Sequence, residues 1–163
     1  MLCERILGNI LSENPERVAG KSLDQIDLDW RQCSRRGVRA CSRAGLTVGI
    51  LVPLGQTLRH GDILFEDEES VVAVNVVQSE VLVGEFSNPA SLAAAALELG
   101  NLHVPVEVAP DMRLVTLPDG PTRGVLERYA ADVRVDVQRF APLRATVLAG
   151  SVKLSDSFRV ARA

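Results

Sequence analysis

The side chains that could bind a metal ion or act as nucleophiles are few in this chain. It contains two histidines, His60 and His103, and three cysteines, Cys3, Cys33 and Cys41. A neutral imidazole is a good ligand for nickel, zinc and copper, whereas a thiol needs an adjacent base to act as a nucleophile. No C-x-x-C pair is present, so neither a zinc knuckle nor a disulfide framework is predicted. Each cysteine is expected to be a small buried hydrophobe in a reducing cytoplasm.

His103 is the more informative histidine because of the segment that contains it, Leu99-Gly100-Asn101-Leu102-His103-Val104-Pro105. An alanine-rich helix is predicted over residues 90–99, with Asn88 as its N-cap. Gly100 is predicted to end this helix, since glycine adopts the left-handed conformation cheaply. The Val-Pro pair that follows favours an extended chain. The imidazole is therefore expected on a turn between a helix and a strand.

Two interpretations of His103 stay open on the residues alone. The imidazole is either a metal ligand or a group that hydrogen-bonds the free carbonyls at a helix end. His60 precedes a Gly-Asp turn and is expected to be a solvated loop residue. An enzyme would need a thiol beside an imidazole, such as Cys41 with His60 or His103, and no oxyanion-hole turn or phosphate loop accompanies them. We therefore predict no catalytic residue and no enzymatic activity.

Composition limits the class of protein and its partners. The 163 residues, 47% of them hydrophobic, can bury one ordinary core or two small ones. A net charge of -3 argues against nucleic acid as the main partner. No segment is long and apolar enough to cross a bilayer, and no secretory signal is predicted at the start. A soluble cytoplasmic protein without a membrane partner is expected.

Residues 1–77 are predicted to form a small antiparallel all-β domain, because short alternating runs are separated by turn residues. These runs cover residues 25–30, 38–43, 46–52, 63–67 and 71–77. The basic stretch from Arg31 to Arg43 is predicted to be a hairpin whose arginines face solvent or, alternatively, an acidic partner. The acidic run from Glu66 to Glu69 is expected to be a solvated turn rather than a cation site.

Residues 78–145 show a different pattern, with two helices between strands. The predicted elements are a strand over 80–86, a helix over 90–99, strands over 106–108 and 112–117, a helix over 122–131 and a strand over 133–140. This β-α-β-β-α-β order predicts an α+β, ferredoxin-like domain, with two helices on one face of a four-stranded antiparallel sheet. The remaining residues, 146–163, are a histidine-free C-terminal tail for which no structure is predicted.

Three segments of the chain resemble the urease accessory protein UreE family. Residues 32–39 resemble the basic hairpin of that family, and residues 54–64 resemble its pattern LPRGTxLxxGDxL. Residues 99–106 resemble LGNRHxPxQ, which is the most specific of the three because it pairs a helix end with a histidine. From Asp24 to Val137 the chain is thus similar to a nickel metallochaperone of urease maturation.

The resemblance implies a peptide-binding-like β domain followed by a ferredoxin-like domain for metal binding and dimerisation. It implies a homodimer in which His103 meets its symmetry mate and binds Ni²⁺, with zinc and copper as possible competitors. It also implies delivery of the ion to urease, through contact with the complex of apo-urease and other accessory proteins, including a GTPase.

The chain departs from the family pattern at several positions. Leu102 stands where the family usually has arginine, and Glu107 or a neighbour replaces the usual glutamine. Thr122-Arg123-Gly124 stands where many members carry more histidines, and the tail lacks a histidine-rich end. A site for about one ion per dimer is therefore the most that we expect. The alternative function is a peptide-binding or assembly module of the same fold that has lost metal transport.

Overall fold

The computed structural model describes residues 1–12, 18–53 and 56–143. The predicted tail over 146–163 lies outside the described residues, as do two residues of the second family-like segment, Leu54 and Gly55. Within the described part, no helix is long and apolar enough to cross a bilayer.

The N-terminal half is built from two sheets. Its elements are β1 Leu2–Cys3, β2 Gly8–Asn9, β3 Ser22–Leu28, α1 Trp30–Cys33, β4 Gly37–Cys41, β5 Thr47–Leu51, β6 Asp62–Glu66 and β7 Ser70–Val76. The three-stranded sheet has the order β1-β5-β4, and the four-stranded sheet has the order β2-β6-β7-β3. Both sheets bury alternate side chains in one cluster, which includes Ile26, Val48 and Val74.

The prediction of an antiparallel all-β domain is wrong in two respects. Strand β3 pairs with β7 in parallel, and β1 pairs with β5 in parallel. Apolar alternation tells which face of a strand is buried but not the direction of its neighbour. In addition, Trp30 begins a one-turn helix instead of ending a strand. Asp29 accepts from the Gln32 backbone N at 2.7 Å while the Gln32 side chain accepts from the Asp29 backbone N at 2.9 Å, which is a capping box.

The C-terminal half has the element order β-α-β-β-α-β. Its elements are β8 Gln78–Glu85, α2 Pro89–Asn101, β9 Val106–Ala109, β10 Arg113–Thr116, α3 Gly120–Tyr129 and β11 Asp132–Arg139. The strands pair antiparallel in the order β11-β8-β10-β9. Asn88 caps α2 as predicted, since its side chain accepts from the Ser91 backbone N at 2.9 Å. Both helices pack on one face, through fully buried leucines such as Leu82, Leu99 and Leu126.

The opposite face of the C-terminal sheet meets the N-terminal half. Val81, Val83 and Val115 are buried there with Phe140. The rings of Trp30 and Phe140 meet edge to face, with centroids 5.3 Å apart and planes at 76°, a favourable aromatic geometry. The two halves are therefore held together by an aromatic pair on top of buried valines.

Candidate metal site at the end of helix α2

Helix α2 extends further than the sequence predicts. It continues through Gly100 to Asn101, and Leu102 is its C-cap. Gly100 is not among the residues with positive φ, and a Cβ added to it would meet no atom within 4 Å. The prediction that Gly100 ends the helix in a left-handed conformation is therefore wrong.

The left-handed residue at this helix end is His103 itself, with φ at +55°. Its backbone N donates to the Gly100 carbonyl at 3.0 Å, and the Val104 backbone N donates to the Leu99 carbonyl at 3.4 Å. These two bonds make a Schellman motif. Val104 packs against the cluster that contains Leu99, which is the apolar contact that often accompanies this motif. The backbone of His103 is thus fixed from both sides.

The conformation of His103 carries an energetic cost. Glycine is the usual residue at this position, and a residue with a Cβ costs about 1 kcal/mol more there. Histidine is nevertheless one of the side chains that enter the left-handed region more often than most. The imidazole is exposed and makes no hydrogen bond to the part of the chain that the structure describes. The main chain binds the helix-end carbonyls, and the imidazole stays free to bind a ligand.

The surroundings of His103 combine apolar exposure with a favourable field for a cation. Leu102 is 48% exposed and Leu97, one turn earlier on α2, is 68% exposed. The last turn of α2 carries no basic residue. Because the C-terminal end of a helix bears a partial negative charge, a cation is stabilised there. The nearby Glu98 is held by Arg128 of α3 through an ion pair at 2.8 Å.

Two departures from the family pattern have structural roles. Glu107 on β9 accepts a hydrogen bond at Oε2 from the Ala141 backbone N at 2.8 Å, so its carboxylate anchors the chain after β11. Thr122 is fully buried and donates its hydroxyl to the Leu117 carbonyl at 2.8 Å. Its backbone N donates to the Asp119 side chain at 2.8 Å. Glu107 thus holds the chain after β11, and Thr122 with Asp119 fixes the start of α3.

His60 differs from its prediction. It lies before β6 and is half-buried instead of solvated. Its Nδ1 is buried and has no hydrogen-bond partner among the described residues. Burial, together with the Arg139 guanidinium, holds the pKa of the His60 imidazole below its ordinary value. This imidazole therefore stays neutral at pH 7.

The thiols do not form a nucleophilic site. Cys33 is buried, and burial with the Asp29 and Asp62 carboxylates nearby raises the pKa of its thiol to about 12. Burial also raises the pKa of the Cys3 thiol. A thiol with a raised pKa is a poor nucleophile because the thiolate is the reactive form. Cys41 on β4 is exposed, so the expectation that every cysteine is buried is wrong for this one.

No group of three or more His, Cys, Asp or Glu side chains that could hold a metal ion occurs within residues 1–12, 18–53 and 56–143. The structure thus brings His103 to the surface and places His60 between the two halves, without joining them in one cluster. No local pattern in the sequence predicts the left-handed conformation of His103. The sequence did contain the signal for the α1 capping box, an aspartate followed three residues later by glutamine.

The basic stretch of the N-terminal half is only partly neutralised. Arg43 forms an ion pair with Asp27 at 2.8 Å and donates to the Gln25 side chain at 2.6 Å. Four other arginines of the stretch are exposed and have no carboxylate partner in the described part: Arg31, Arg35, Arg36 and Arg39.

The acidic run from Glu66 to Glu69 closes a turn. The Asp67 carboxylate accepts from the backbone N of Glu69 at 2.9 Å and of Ser70 at 2.7 Å. These hydrogen bonds lower the pKa of the Asp67 carboxyl. Lys21 binds Glu66 at 2.8 Å. The Asp67 carboxylate thus stabilises a turn, in agreement with the sequence prediction that this run is a turn.

Fold and site together define a two-part protein, with a strand-rich N-terminal half, an α+β C-terminal half and an exposed imidazole at the end of α2. Residues 3–77 match the model described as UreE urease accessory protein, N-terminal domain, and residues 69–156 match UreE urease accessory protein, C-terminal domain. The chain belongs to the UreE family of urease accessory proteins, and is a chaperone of urease maturation. The prediction of the UreE family is confirmed. Because this is a family of accessory chaperones, the prediction that the chain is not an enzyme is confirmed as well.

Individual relatives agree with the family match. The urease accessory protein UreE of Helicobacter pylori is 31% identical over 140 residues, which cover 83% of this chain and 79% of that protein. UreE of Actinobacillus pleuropneumoniae is 33% identical over 117 residues, 71% of this chain and 62% of that protein. UreE of Helicobacter acinonychis is 30% identical over 140 residues, 83% of this chain and 79% of that protein.

Proposed function

We propose that this chain is a nickel carrier that acts as a homodimer, with His103 of each copy as a ligand at the twofold interface. The observation that carries the proposal is the conformation of His103. The chain keeps an exposed imidazole at φ +55°, where glycine would be more stable by about 1 kcal/mol. Strain of this kind, retained at an exposed position, is typical of functional sites.

Pairing with a second copy would give this imidazole a useful coordination number. One imidazole binds a divalent ion weakly, whereas a C2 interface duplicates every ligand that it contains. The exposed Leu102, directly before His103 in the chain, supplies apolar surface beside the imidazole, as the centre of an interface requires.

The same proposal covers the organisation of the chain and its partners. We propose a peptide-binding-like domain over residues 1–77, a ferredoxin-like domain over 78–145 and a tail over 146–163. The antiparallel strand order β11-β8-β10-β9 with both helices on one face supports the ferredoxin-like class. The dimer would act in the cytoplasm and pass its ion to the complex of apo-urease with the accessory GTPase.

Calorimetric titration of the dimer with Ni²⁺ tests the proposal. The parent chain is expected to bind about one ion per dimer. His103→Gly is expected to lower the affinity at least about tenfold, although it relieves the backbone strain and keeps the fold. His60→Gln, which changes the other histidine, is the matched control and is expected to bind as the parent does. Equal binding by the parent and His103→Gly would refute the carrier function.

Zn²⁺ and Cu²⁺ are expected to compete, because imidazole does not discriminate strongly among these ions and copper leads the affinity series. Selectivity would then come from the delivery step. Urease activation by the nickel-loaded dimer with apo-urease and the accessory GTPase measures that step. The parent is expected to activate urease at limiting nickel, and His103→Gly is expected to fail.

A second candidate function is a peptide-binding or assembly module that has lost metal transport. The presence of Leu102 at the usual arginine position favours it. In the same activation assay this candidate predicts equal support of urease by the parent and His103→Gly. The two functions therefore give opposite results with one variant.

A further inference from the structure

A cleft of about 500 Å³ lies between the two halves of the molecule. Its residues come from α1, from the segment before β6, from the end of β7 and from the chain after β11. The cleft includes neither His103 nor any residue of α2. Its volume falls within the usual range for ligand pockets, roughly 300–1,000 Å³, and such pockets occur preferentially between domains. It is therefore a candidate binding site that is independent of the proposed metal site.

The floor of the cleft is apolar and held rigidly. It consists of Trp30, Leu58, Val76, Phe140 and Pro142. Phe140 is 1% exposed and Leu58 is 4% exposed. The Leu58 backbone N donates to the Cys33 carbonyl at 3.1 Å, which ties this segment to α1. An apolar lining of this kind can accept one large apolar side chain.

The walls of the cleft are cationic. Arg59 comes from the N-terminal half and Arg139 from the C-terminal half, so each half contributes a guanidinium to the lining of the cleft. The Arg31 guanidinium adds a third positive charge, since it lies 4.7 Å from the centre of the Trp30 ring. Among the described residues, no Asp or Glu side chain lines the cleft. The local charge is thus opposite to the net charge of the chain, -3.

The positive charges of the cleft are not fully used within the chain. Arg139 donates to the Val76 carbonyl at 3.0 Å and to the Asn75 side chain at 3.5 Å, neither of which is an anion. The Arg59 side chain is exposed and has no carboxylate partner in the described residues. The adjacent Asp62 carboxylate is buried and accepts from the Arg59 backbone N at 2.6 Å and from Asn9 at 2.9 Å. Both guanidinium groups therefore keep donors available for an incoming carboxylate.

We propose that this cleft binds a peptide segment of a partner protein in which a large apolar side chain is flanked on both sides by carboxylates. The apolar side chain fills the floor beside Trp30 and Phe140. The carboxylates pair with Arg59 and Arg139. Two guanidinium groups, one from each half of the molecule, fit a peptide with two carboxylates better than a small acid with a single carboxylate.

Fluorescence of Trp30 provides the direct test, because it is the only tryptophan of the chain. The probe is the synthetic peptide acetyl-Asp-Glu-Phe-Asp-Glu-amide, added to the full-length protein. We expect a saturable change of the Trp30 emission. A peptide with alanine in place of phenylalanine, and a peptide with lysine in place of every acid, are each expected to bind at least about fivefold more weakly.

Two variants with a matched control locate the site. Arg59→Glu is expected to weaken binding of the phenylalanine peptide about five- to tenfold, while Arg123→Glu on α3, with the same change of charge, is expected to stay within about twofold. Ala141→Phe adds a ring at the rim of the cleft and is expected to weaken binding at least about tenfold. Thermal unfolding of each variant verifies that the fold is kept.

Several results would overturn the proposal. They are the absence of a saturable change up to about 1 mM peptide, equal binding of the phenylalanine and alanine peptides, and equal effects of Arg59→Glu and Arg123→Glu. Binding of 3-phenylpropionate as tight as that of the peptide would make the cleft a small-molecule site. Displacement by a synthetic peptide of residues 144–163, or an emission change that depends only on protein concentration, would assign it to the chain's own tail or to a second copy.

Discussion

The two histidines of this protein are held in opposite ways. His103 has an exposed imidazole on a left-handed backbone, fixed by the Schellman motif at the end of α2. His60 is half-buried where the two halves meet, with its Nδ1 buried and unpaired among the described residues. At His103 the free-energy cost is backbone strain, and the side chain stays available to a ligand. At His60 the free-energy cost is the lost solvation of the imidazole. Only the first suits a ligand for an ion that must be released.

The largest expected effect is a loss of stability when the aromatic contact between the two halves is removed. It should leave the His103 region unchanged, which distinguishes the two regions. Phe140→Ala deletes a ring that is 1% exposed, and is expected to lower the free energy of unfolding by about 3–5 kcal/mol. The proposed nickel binding is expected to persist in the folded fraction, since Phe140 packs in a different cluster from the Leu99 end of α2. Urea unfolding measures the first quantity and calorimetry the second. Val137→Ala on β11, at a side chain 58% exposed, is the control and is expected to change stability by less than about 0.5 kcal/mol.

The next effect concerns the backbone of His103. His103→Gly is expected to raise the free energy of unfolding by about 1 kcal/mol, because glycine enters the left-handed region without strain. His103→Ala removes the same imidazole and keeps the Cβ, so it is expected to lack this gain. Urea unfolding of the three proteins measures the difference. Equal stability of the glycine and alanine variants would show that the left-handed conformation of residue 103 is not strained.

A gain in stability of similar size is expected from a substitution at Gly100. Gly100→Ala is expected to raise the free energy of unfolding by about 0.5–1 kcal/mol, since the position is helical and a Cβ there meets no atom within 4 Å. If Gly100 instead ended the helix in the left-handed conformation, as its sequence context predicts, the substitution would destabilise the protein. Thermal or urea unfolding therefore decides by sign between the two arrangements.

The smallest expected effect is a pH dependence from His60. Its pKa is lowered in the folded protein, by burial and then by Arg139, so the unfolded chain binds a proton more readily. The contribution of His60 to stability is therefore fully present above the ordinary histidine pKa, about 6.5, and is lost as the pH falls towards the lowered value. Between pH 7.5 and 5.5 the parent is expected to lose more stability than His60→Gln. Urea midpoints at both pH values measure this, and an equal or smaller loss in the parent would contradict the desolvated state of His60.

The sequence predicts much of the C-terminal half because its signals are local. The N-cap Asn88, the alanine-rich helix and the alternating strands each follow from neighbouring residues. The N-terminal half is less predictable, since the parallel pairing of β3 with β7 joins residues 48 positions apart in the chain, such as Ser22 with Ser70. Alternation does not encode which distant strand becomes the neighbour.

The place of His103 on a turn beyond helix α2 was predictable from the sequence, but its left-handed conformation was not. Gly100 is the better left-handed residue by propensity. The helix continues past it because Leu99 and Val104 must both reach the core, and this places the left-handed turn at residue 103. Tertiary packing thus overrides a local preference of about 1 kcal/mol. The cleft between the halves depends on the contact of Trp30 with Phe140, which no local pattern contains.

The most direct test of the central claim is X-ray absorption spectroscopy of the nickel-loaded parent protein, with the amount of nickel per dimer measured on the same sample. The account predicts about one nickel per dimer, with about two imidazole ligands in its first coordination shell, one His103 from each copy. Nickel bound at one ion per single chain, or a first shell without imidazole, would contradict it.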